Sequence, residues 1–356
     1  MLHRFRPSRR RFLQQSTTAG LGLSLLPRLT LAQEPNQLNF YNWDTYIGED
    51  TLANFKDATG IEVTMDLFAD NEELFAKLRG GNPGYDVIVP TNDFVERMIQ
   101  ADMLMPLDRS KIPNFANLSP TFQKAEFDPG RQHSMPYMWG TIGIGYRKSR
   151  VDGVPDSWKW LLDSDQYSGR IALLGEARAI FQSAFKYLGA SLNSTDEALL
   201  KRAEEMLIAQ KPHIKAFAED NGQDLLLSGE VDLTMEWSGD ILQVMAEDDD
   251  LGYVIPQEGG ELWQDCLAIP KGAPHPDNAH RFINYLLDAQ VGAEIADFIR
   301  YGTPNAAALE HLPADYRNNP AIFPSDEVLE RCEVSVFKGP DFQRLLDEAW
   351  TRVQAA

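Results

Sequence analysis

Residues 85–90 read YDVIVP, a β-branched apolar run that is typical of a buried strand in a parallel sheet. The segment after it, Asn92–Ala101, is predicted to be a helix. Two more strand–helix units precede it, with strands at Gln37–Tyr41 (QLNFY) and Ile61–Phe68 (IEVTMDLF), and helices at Glu49–Thr59 and Asn71–Arg79. Asn71 is the predicted N-cap of the second of these helices. Strands that alternate with helices in this way predict an open, mostly parallel α/β sheet.

The long β-rich stretch SMPYMWGTIGIGYR at Ser134–Arg147 precedes a second series of elements and could cross between two halves of the protein. The second series is predicted to contain strands at Arg170–Leu174, His213–Ala216, Asp232–Trp237, Tyr253–Pro256 and Glu261–Pro270, and helices at Glu176–Leu188, Thr195–Gln210, Gln223–Ser228, Pro276–Leu287, Asp288–Phe298 and Asp341–Val353. The last strand is expected to return toward the first half. We therefore expect two α/β halves joined by short strands, an arrangement whose natural motion is hinge closure over a ligand.

The length and the charge of the chain limit the classes of protein to which it can belong. A chain of 356 residues suggests two domains, and 43% hydrophobic residues suffice for a large core. Six of the 33 basic residues are arginines within residues 1–32, where no acid occurs, so 27 basic residues face 53 acidic residues in the rest of the chain. Such an acidic surface repels phosphate backbones and steers cations, although acidity can also serve solubility alone. Nucleic acid is therefore not expected as a partner.

The amino terminus has the pattern of an export signal. Residues 8–13 read SRRRFL, a mildly apolar stretch follows at Ala19–Leu26, and Thr30 and Ala32 offer a small-x-small cleavage site. Residues 1–32 thus resemble a bacterial twin-arginine signal peptide, and the apolar stretch is shorter than the ~20 residues that a membrane-spanning helix needs. We predict a protein exported to the periplasm. In that compartment Cys266 and Cys332 can form a disulfide or remain free thiols, and the sequence leaves both open.

The common catalytic and metal-binding motifs do not occur in the sequence, which has no GxSxG, Walker A, HExxH or CxxC pattern. The six histidines lack the spacing of a zinc site. The run EDDD at Glu247–Asp250 lacks the spaced ligands of a calcium loop and is interpreted as a solvated helix end. These features predict a binding protein without a cofactor or metal, not an enzyme.

Aromatic and acidic residues occur together where predicted strands end. Loops beyond the carboxyl ends of strands in an open α/β sheet form the ligand crevice, so residues from separate segments should converge there. Aromatic faces attract cations and pack on methylene chains, and carboxylates bind ammonium groups, which together suit an aliphatic di- or polycation. The candidates are Trp43, Asp44 and Tyr46, Asp93, Glu176, Trp237 and Asp240, and Trp263 with Asp265.

Six motifs carry a resemblance to a known family: FYNWDTYI (Phe40–Ile47), YDVIVPT (Tyr85–Thr91), MPYMWGTIGIGY (Met135–Tyr146), MEWSGD (Met235–Asp240), LWQDCLAIPKGA (Leu262–Ala273) and YGTPN (Tyr301–Asn305). Together they resemble the periplasmic spermidine/putrescine-binding proteins of ABC transporters, over nearly the whole mature chain. The resemblance implies a type II periplasmic-binding-protein fold, with a ligand cleft between two lobes joined by a hinge. The implied lobes are residues 36–141 plus 268–306, and residues 142–267 plus 307–353.

The resemblance also implies roles for particular residues. Aromatics box the alkyl chain of the ligand and acids bind its amines, and Tyr301 joins the candidates through the YGTPN motif. Asp265 is the expected principal amine-binding acid, and Asp240 resembles the acid of putrescine-preferring members. The chain departs from the family pattern at Thr45, Asp93 and Ala179, so putrescine, spermidine and longer or guanidinylated amines all remain candidate ligands.

The resemblance implies a monomer that delivers a polyamine to the membrane permease of an ABC transporter. A ligand-binding sensor for a polyamine or another organic cation, which would dock on a membrane receptor, is the alternative.

Overall fold

The alternation of strands and helices that starts around YDVIVP is present in the computed structural model of the protein, which describes residues 34–356. The predicted signal peptide lies outside the described residues. The strands are β1 (Gln37–Asn42), β2 (Glu62–Leu67), β3 (Val87–Ile88), β4 (Ser134–Arg147), β5 (Ile171–Leu174), β6 (Ile214–Ala218), β7 (Leu233–Trp237), β8 (Leu251–Val254) and β9 (Leu262–Ala268).

The helices that pack on these strands include the predicted ones, with ends that shift by one or two residues in most cases. They are α1 (Thr51–Thr59), α2 (Asn71–Arg79), α3 (Asn92–Gln100), α4 (Lys159–Leu162), α5 (Ala177–Tyr187), α6 (Glu197–Gln210), α7 (Gly222–Leu227), α8 (Ser238–Met245), α9 (Pro276–Leu286), α10 (Ala289–Ile299), α11 (Ala314–Arg317), α12 (Asp326–Leu329) and α13 (Pro340–Ala355). None of the helices within residues 34–356 has the length and apolarity to cross a membrane.

The strands form one mixed sheet in the order β2-β1-β3-β9-β4-β7-β5-β6, and β8 also pairs with β4. The parallel pairing predicted for the first hundred residues is confirmed, because β1 runs parallel to both β2 and β3. In the rest of the sheet β5 is parallel to β6 and β7, whereas β4 and β9 run antiparallel to their neighbours. We call β2, β1, β3, β9 and residues 134–141 of β4 the first sheet half, and residues 142–147 of β4 with β5 to β8 the second.

Strand β4 crosses from one sheet half to the other, as its sequence predicts. It pairs with β9 from Ser134 to Thr141 and with β7 from Ile142 to Tyr146. Gly143 lies where β8 approaches closely, since a Cβ atom there would stand 2.5 Å from the Val254 carbonyl oxygen. The glycines of this strand thus let neighbouring groups pack directly on its backbone.

Two local predictions need correction. The N-cap of α2 is Asp70, whose carboxylate accepts the Glu73 N–H, because the chain is still extended at Asp70 and Asn71 is already helical. The Asn71 side chain instead bonds the hydroxyl and the N–H of Thr91, at 2.8 and 3.1 Å. Of the predicted strand Tyr85–Pro90 only Val87–Ile88 form the ladder, although the whole segment is buried.

Both cysteines of the described chain are free thiols, Cys266 being buried and Cys332 partly buried.

The close approach of β8 to Gly143 predicts that a methyl group added at this position destabilises the protein. Gly143→Ala should lower the free energy of unfolding by ~1–3 kcal/mol, because the β4–β8 spacing must widen. Gly80→Ala, where no atom lies within 4 Å of the added Cβ and φ is −82°, serves as the control and should change stability by less than ~1 kcal/mol. Urea-induced unfolding followed by tryptophan fluorescence measures both, and equal stabilities would contradict this account of β4.

Candidate functional site

A single cavity brings together eight of the ten candidate residues. It has about 350 Å³ of empty space, including the part that opens to solvent. Its lining consists of Trp43, Asp44, Tyr46, Thr91, Asp220, Trp237, Asp240, Trp263, Asp265 and Tyr301. Five of these side chains are aromatic, four are acidic, and none is basic.

Most of the lining residues come from strand ends and from β9. The loop after β1 supplies Trp43 to Tyr46, β6 is followed by Asp220, and β7 ends at Trp237. Strand β9 carries Trp263 and Asp265 and lies in the first sheet half. The crevice expected beyond the carboxyl ends of the strands is therefore present, and the cavity takes residues from both sheet halves.

The aromatic rings pack edge to face against one another. The ring centroids of Trp237 and Trp263 are 5.7 Å apart at 90°, those of Trp263 and Tyr301 are 5.1 Å apart, and those of Tyr301 and Tyr46 are 5.2 Å apart. Trp43 is fixed separately, because its indole N–H donates to the Val89 carbonyl oxygen at 2.9 Å. The aromatic walls are thus oriented by their mutual contacts in the cavity.

Asp265 is buried and accepts a hydrogen bond from the Thr91 hydroxyl at 2.8 Å. The Thr91 hydroxyl is in turn held by Asn71 at the start of α2. Burial raises the pKa of Asp265 to about 7, because the ionised carboxylate loses its hydration. The hydroxyl of Tyr46 is buried next to the Asp265 carboxylate.

Asp240 lies in the first turn of α8, on the side of the cavity formed by the second sheet half. Its backbone N–H donates to the Tyr301 hydroxyl at 3.2 Å. Burial raises the pKa of Asp240 to about 7, and burial together with the charge of Asp240 raises the pKa of Asp220 well above the ordinary value. Both carboxyl groups therefore favour a nearby positive charge.

Thr91 and Asp220 are lining residues that the sequence analysis missed. Thr91 ends the quoted motif YDVIVPT, so its position beyond a strand end was a usable signal. Asp220 follows β6 in the segment Ala218–Asn221 and adopts a left-handed conformation with φ of 52°. The predicted strand ends at Ala216, two residues before the observed end of β6. Asp220 was therefore not recognised as a residue that follows a strand end.

Two candidates, Asp93 and Glu176, lie outside this cavity. Both carboxylates face the buried Arg178 guanidinium, at 3.4 Å and 3.2 Å, and a third acid, Glu261, also pairs with it. They do not converge with the others because both pair with Arg178, which lies two residues after Glu176 in the first turn of α5. Glu176 instead lines a second cavity next to the first.

The geometry of the cavity suits the binding of a cation, and its lining residues form no recognisable catalytic arrangement. The lining residues include no Cys, His or Ser nucleophile–base arrangement, and the acids are spread over both sides of an aromatic slot. Aromatic faces and carboxylates each stabilise a positive charge held between them.

Comparisons with known proteins place the chain among bacterial solute-binding proteins. The family model described as bacterial extracellular solute-binding protein matches residues 50–324. The putrescine-binding periplasmic protein PotF of Escherichia coli is 35% identical over 345 residues, covering 92% of this chain and 93% of that protein. The spermidine/putrescine-binding periplasmic protein of Escherichia coli is 35% identical over 308 residues, covering 85% and 87%.

A solved structure extends the likeness to three dimensions. A putative spermidine/putrescine ABC transporter protein from Listeria monocytogenes superposes with a TM-score of 0.86 at 34% identity, covering 90% of this chain and 99% of that one.

Arg178 and its three acids, Asp93, Glu176 and Glu261, form what we call the Arg178 cluster. Replacing the arginine is predicted to lower protein stability strongly even when no ligand is bound. Arg178→Met should lower the free energy of unfolding by ~3–5 kcal/mol near neutral pH, because it leaves buried carboxylates unpaired. The loss should shrink as the pH falls below about 7, because burial raises the pKa of Glu176 to about 7 and the protonated carboxyl no longer needs a charged partner. Arg344→Met, which breaks an exposed pair with Glu348, is the matched control and should cost less than ~1 kcal/mol. Similar losses in both variants, measured by urea-induced unfolding, would refute the structural role of Arg178.

Proposed function

The chain belongs to the bacterial extracellular solute-binding proteins, and from this membership we propose that it binds a polyamine for an ABC transporter and delivers it to the membrane permease. The observation that carries the proposal is the cavity itself, which combines five aromatic side chains with four acids and no base. Relatives at 35% identity are named for putrescine and spermidine, and a solved structure with the same fold is described as a putative spermidine/putrescine ABC transporter. The chain is a binding protein and not an enzyme, as the sequence predicts.

The proposed ligand contacts divide by chemistry. Trp43, Trp237 and Trp263 pack on the methylene chain and attract the charged amines, at roughly 0.5–2 kcal/mol each. Asp265 binds one ammonium group, beside the buried hydroxyl of Tyr46. Asp44, Asp240 and Tyr301 are the other lining residues that contact the ligand in this proposal. We do not assign ligand contacts to Asp93 or Glu176, which pair with Arg178 outside the first cavity.

The fold is that of type II periplasmic binding proteins, as predicted. We propose two lobes that close on the ligand, with the crossing in β4 at residues 141–142, where its pairing changes from β9 to β7. The predicted boundaries put residues 262–267 in the second lobe. Strand β9 pairs with β3 and with residues 134–141 of β4, which supports moving Leu262–Leu267 to the first lobe.

We further propose that the protein acts in the periplasm after export by a twin-arginine signal peptide. The relatives in Escherichia coli are named as periplasmic proteins. The motif SRRRFL at residues 8–13 is the basis for the export route.

Removal of one carboxylate tests the ligand class. Asp265→Asn should weaken putrescine and spermidine binding by ~2 kcal/mol or more, about 30-fold, because a buried ammonium group loses its charged acceptor. Asp102→Asn, an exposed acid paired with Lys271, is the control and should leave both affinities unchanged. Isothermal titration calorimetry of ligand-stripped protein gives the values. Unchanged affinity in Asp265→Asn would exclude Asp265 from the site, and no binding of any polyamine to wild-type protein would overturn the proposed function.

Raised acid pKa values predict how binding depends on pH. Asp240 and Asp265 have a pKa of about 7 without ligand, and an ammonium group lowers that pKa, so binding releases protons. Affinity for putrescine should therefore fall at least tenfold between pH 8 and pH 5.5, with release of about one proton per ligand at pH 7. Calorimetry in buffers of different ionisation enthalpy measures the released protons. A heat of binding independent of the buffer would contradict the assigned ionisation.

A further inference from the structure

Helix α8 contacts Tyr301 beside the point where β4 crosses between the sheet halves. Tyr301 belongs to the first half, because the next residue, Gly302, exchanges two backbone hydrogen bonds of 2.9 Å with Trp139 of β4. Helix α8 belongs to the second half, because it continues directly from β7. A contact between Tyr301 and α8 is therefore a contact between the two halves.

Gly239, the second residue of α8, packs directly on the Tyr301 ring. A Cβ atom at Gly239 would lie 2.5 Å from Cδ2, Cε1 and Cε2 of that ring. Non-bonded carbon atoms are normally separated by about 3.5 Å or more, so this approach accommodates no side chain at position 239. Gly239 does not have a positive φ, so the contact with the ring, and not the backbone conformation, requires a glycine.

The Tyr301 ring is fixed in its own half. It packs edge to face on Tyr46 and Trp263, and the Tyr301 carbonyl oxygen accepts a hydrogen bond from the Tyr316 hydroxyl. Moving the ring aside would disrupt both aromatic contacts. A side chain at position 239 is therefore accommodated only if α8 and Tyr301 move apart.

Two hydrogen bonds also join α8 to the first half. The Asp240 N–H donates to the Tyr301 hydroxyl at 3.2 Å, and Gln243 Nε2 donates to the Ile299 carbonyl oxygen at 3.1 Å. The N–H groups in the first turn of a helix and the carbonyl groups in its last turn have no partner within that helix. Both bonds thus satisfy a free helix end, at the start of α8 and at the end of α10.

Helix α10 is itself part of the first half. It packs on the loop after β1, where a Cβ atom at Gly48 would lie 3.6 Å from the Cα atom of Ile295. We call the contacts of Gly239, Asp240 and Gln243 with Tyr301 and Ile299 the inter-half clasp.

Building on the proposed function, we infer that the inter-half clasp sets the closed angle of the cleft, and that Gly239 and Gln243 are positioning residues for ligand binding. Neither residue lines the cavity, so their effect is on the approach of the two halves. Asp240 and Tyr301 do line it. Formation of the clasp therefore brings Asp240 of the second half toward a ligand held by Asp265 of the first.

The place of the clasp beside the β4 crossing makes closure sensitive to small changes. A separation of given size rotates two rigid bodies through a larger angle when it lies nearer their hinge. One methyl group at Gly239 should therefore hold the cleft open. The measured affinity includes the free energy of closure, so a protein that closes less readily binds every ligand of the closed form more weakly.

The first test is Gly239→Ala in the ligand-stripped mature chain. The affinities for putrescine and spermidine, measured by calorimetry, should both fall about tenfold or more and by the same factor. The urea midpoint of the ligand-free protein should not fall, because the open chain has room for the methyl group and alanine favours a helix. In small-angle X-ray scattering, saturating putrescine should contract this variant less than wild-type protein. Gly80→Ala, whose added Cβ meets no atom within 4 Å, is the matched control.

The second test is Gln243→Leu, which removes the donor to Ile299 and keeps the size of the side chain. Both affinities should fall about threefold or more, again by the same factor. Gln290→Leu is the control, because this exposed glutamine of α10 bonds only Glu294 of its own helix through its side chain. It should leave both affinities unchanged.

Three results would overturn the inference and leave the proposed function intact. These are unchanged affinity in Gly239→Ala, a loss confined to one of the two ligands, and an affinity loss accompanied by a lower urea midpoint and the full contraction of wild-type protein. If Gly239→Ala does not fold, Gln243→Leu decides, and unchanged affinity in that variant refutes the clasp.

Absence of polyamine binding by wild-type protein would overturn the proposed function instead. Hydrogen exchange of the ligand-free protein, followed by NMR, then tests the clasp on its own. The Asp240 N–H, which is bonded to Tyr301 of the other half, should exchange about fivefold faster or more in Gly239→Ala than in wild-type protein. Equal exchange rates would refute the inference.

Discussion

Burial of carboxyl groups without a basic partner is the constraint on which the rest of the cleft depends. Asp240, Asp265 and Glu236 are all removed from water, and an ionised carboxylate there loses hydration that no lysine or arginine of the described chain replaces. In the empty site these groups resolve the conflict by retaining protons, and this is why burial raises their pKa. A cationic ligand instead supplies the missing positive charge. The unfavourable free energy of the buried, unpaired carboxylates is then relieved on binding.

The Arg178 cluster shows the opposite solution a short distance away. Asp93, Glu176 and Glu261 are acids of the same kind, and one buried guanidinium contacts all three. These groups are stabilised within the protein, so they have less to gain from a ligand. The position of one arginine therefore separates the internally paired acids from the acids that line the first cavity. Glu176 stands at the border between the two sets, because its Oε1 has no partner and it lines the second cavity.

Much of this arrangement could be predicted from the sequence because local patterns determine it. The apolar run at YDVIVP, the alternation in IEVTMDLF and the length of SMPYMWGTIGIGYR specify the strands and the crossing, and strand ends locate the cleft. Three features could not be predicted. Asp93 and Glu176 were misplaced because contact with Arg178 depends on how β5, α3 and β9 pack. Helix α8, which carries Asp240, begins with Ser-Gly and lacks a strong helix signal. The buried position of the Glu236 carboxylate depends on Gly222 of a different element, where a Cβ would overlap its Oε2.

The division of the acids between the two sheet halves connects ligand binding with closure. Asp265 belongs to the first half through β9, whereas Asp220 and Asp240 belong to the second through β6 and α8. When these groups are ionised without a ligand, they repel across the cleft and oppose its closure. In the proposed complex, a polyamine would place a positive charge beside each half and convert that repulsion into attraction on both sides. A cation with a single charge cannot satisfy both halves at once, so the same geometry that binds the amines also makes closure depend on the number and spacing of charges along the ligand.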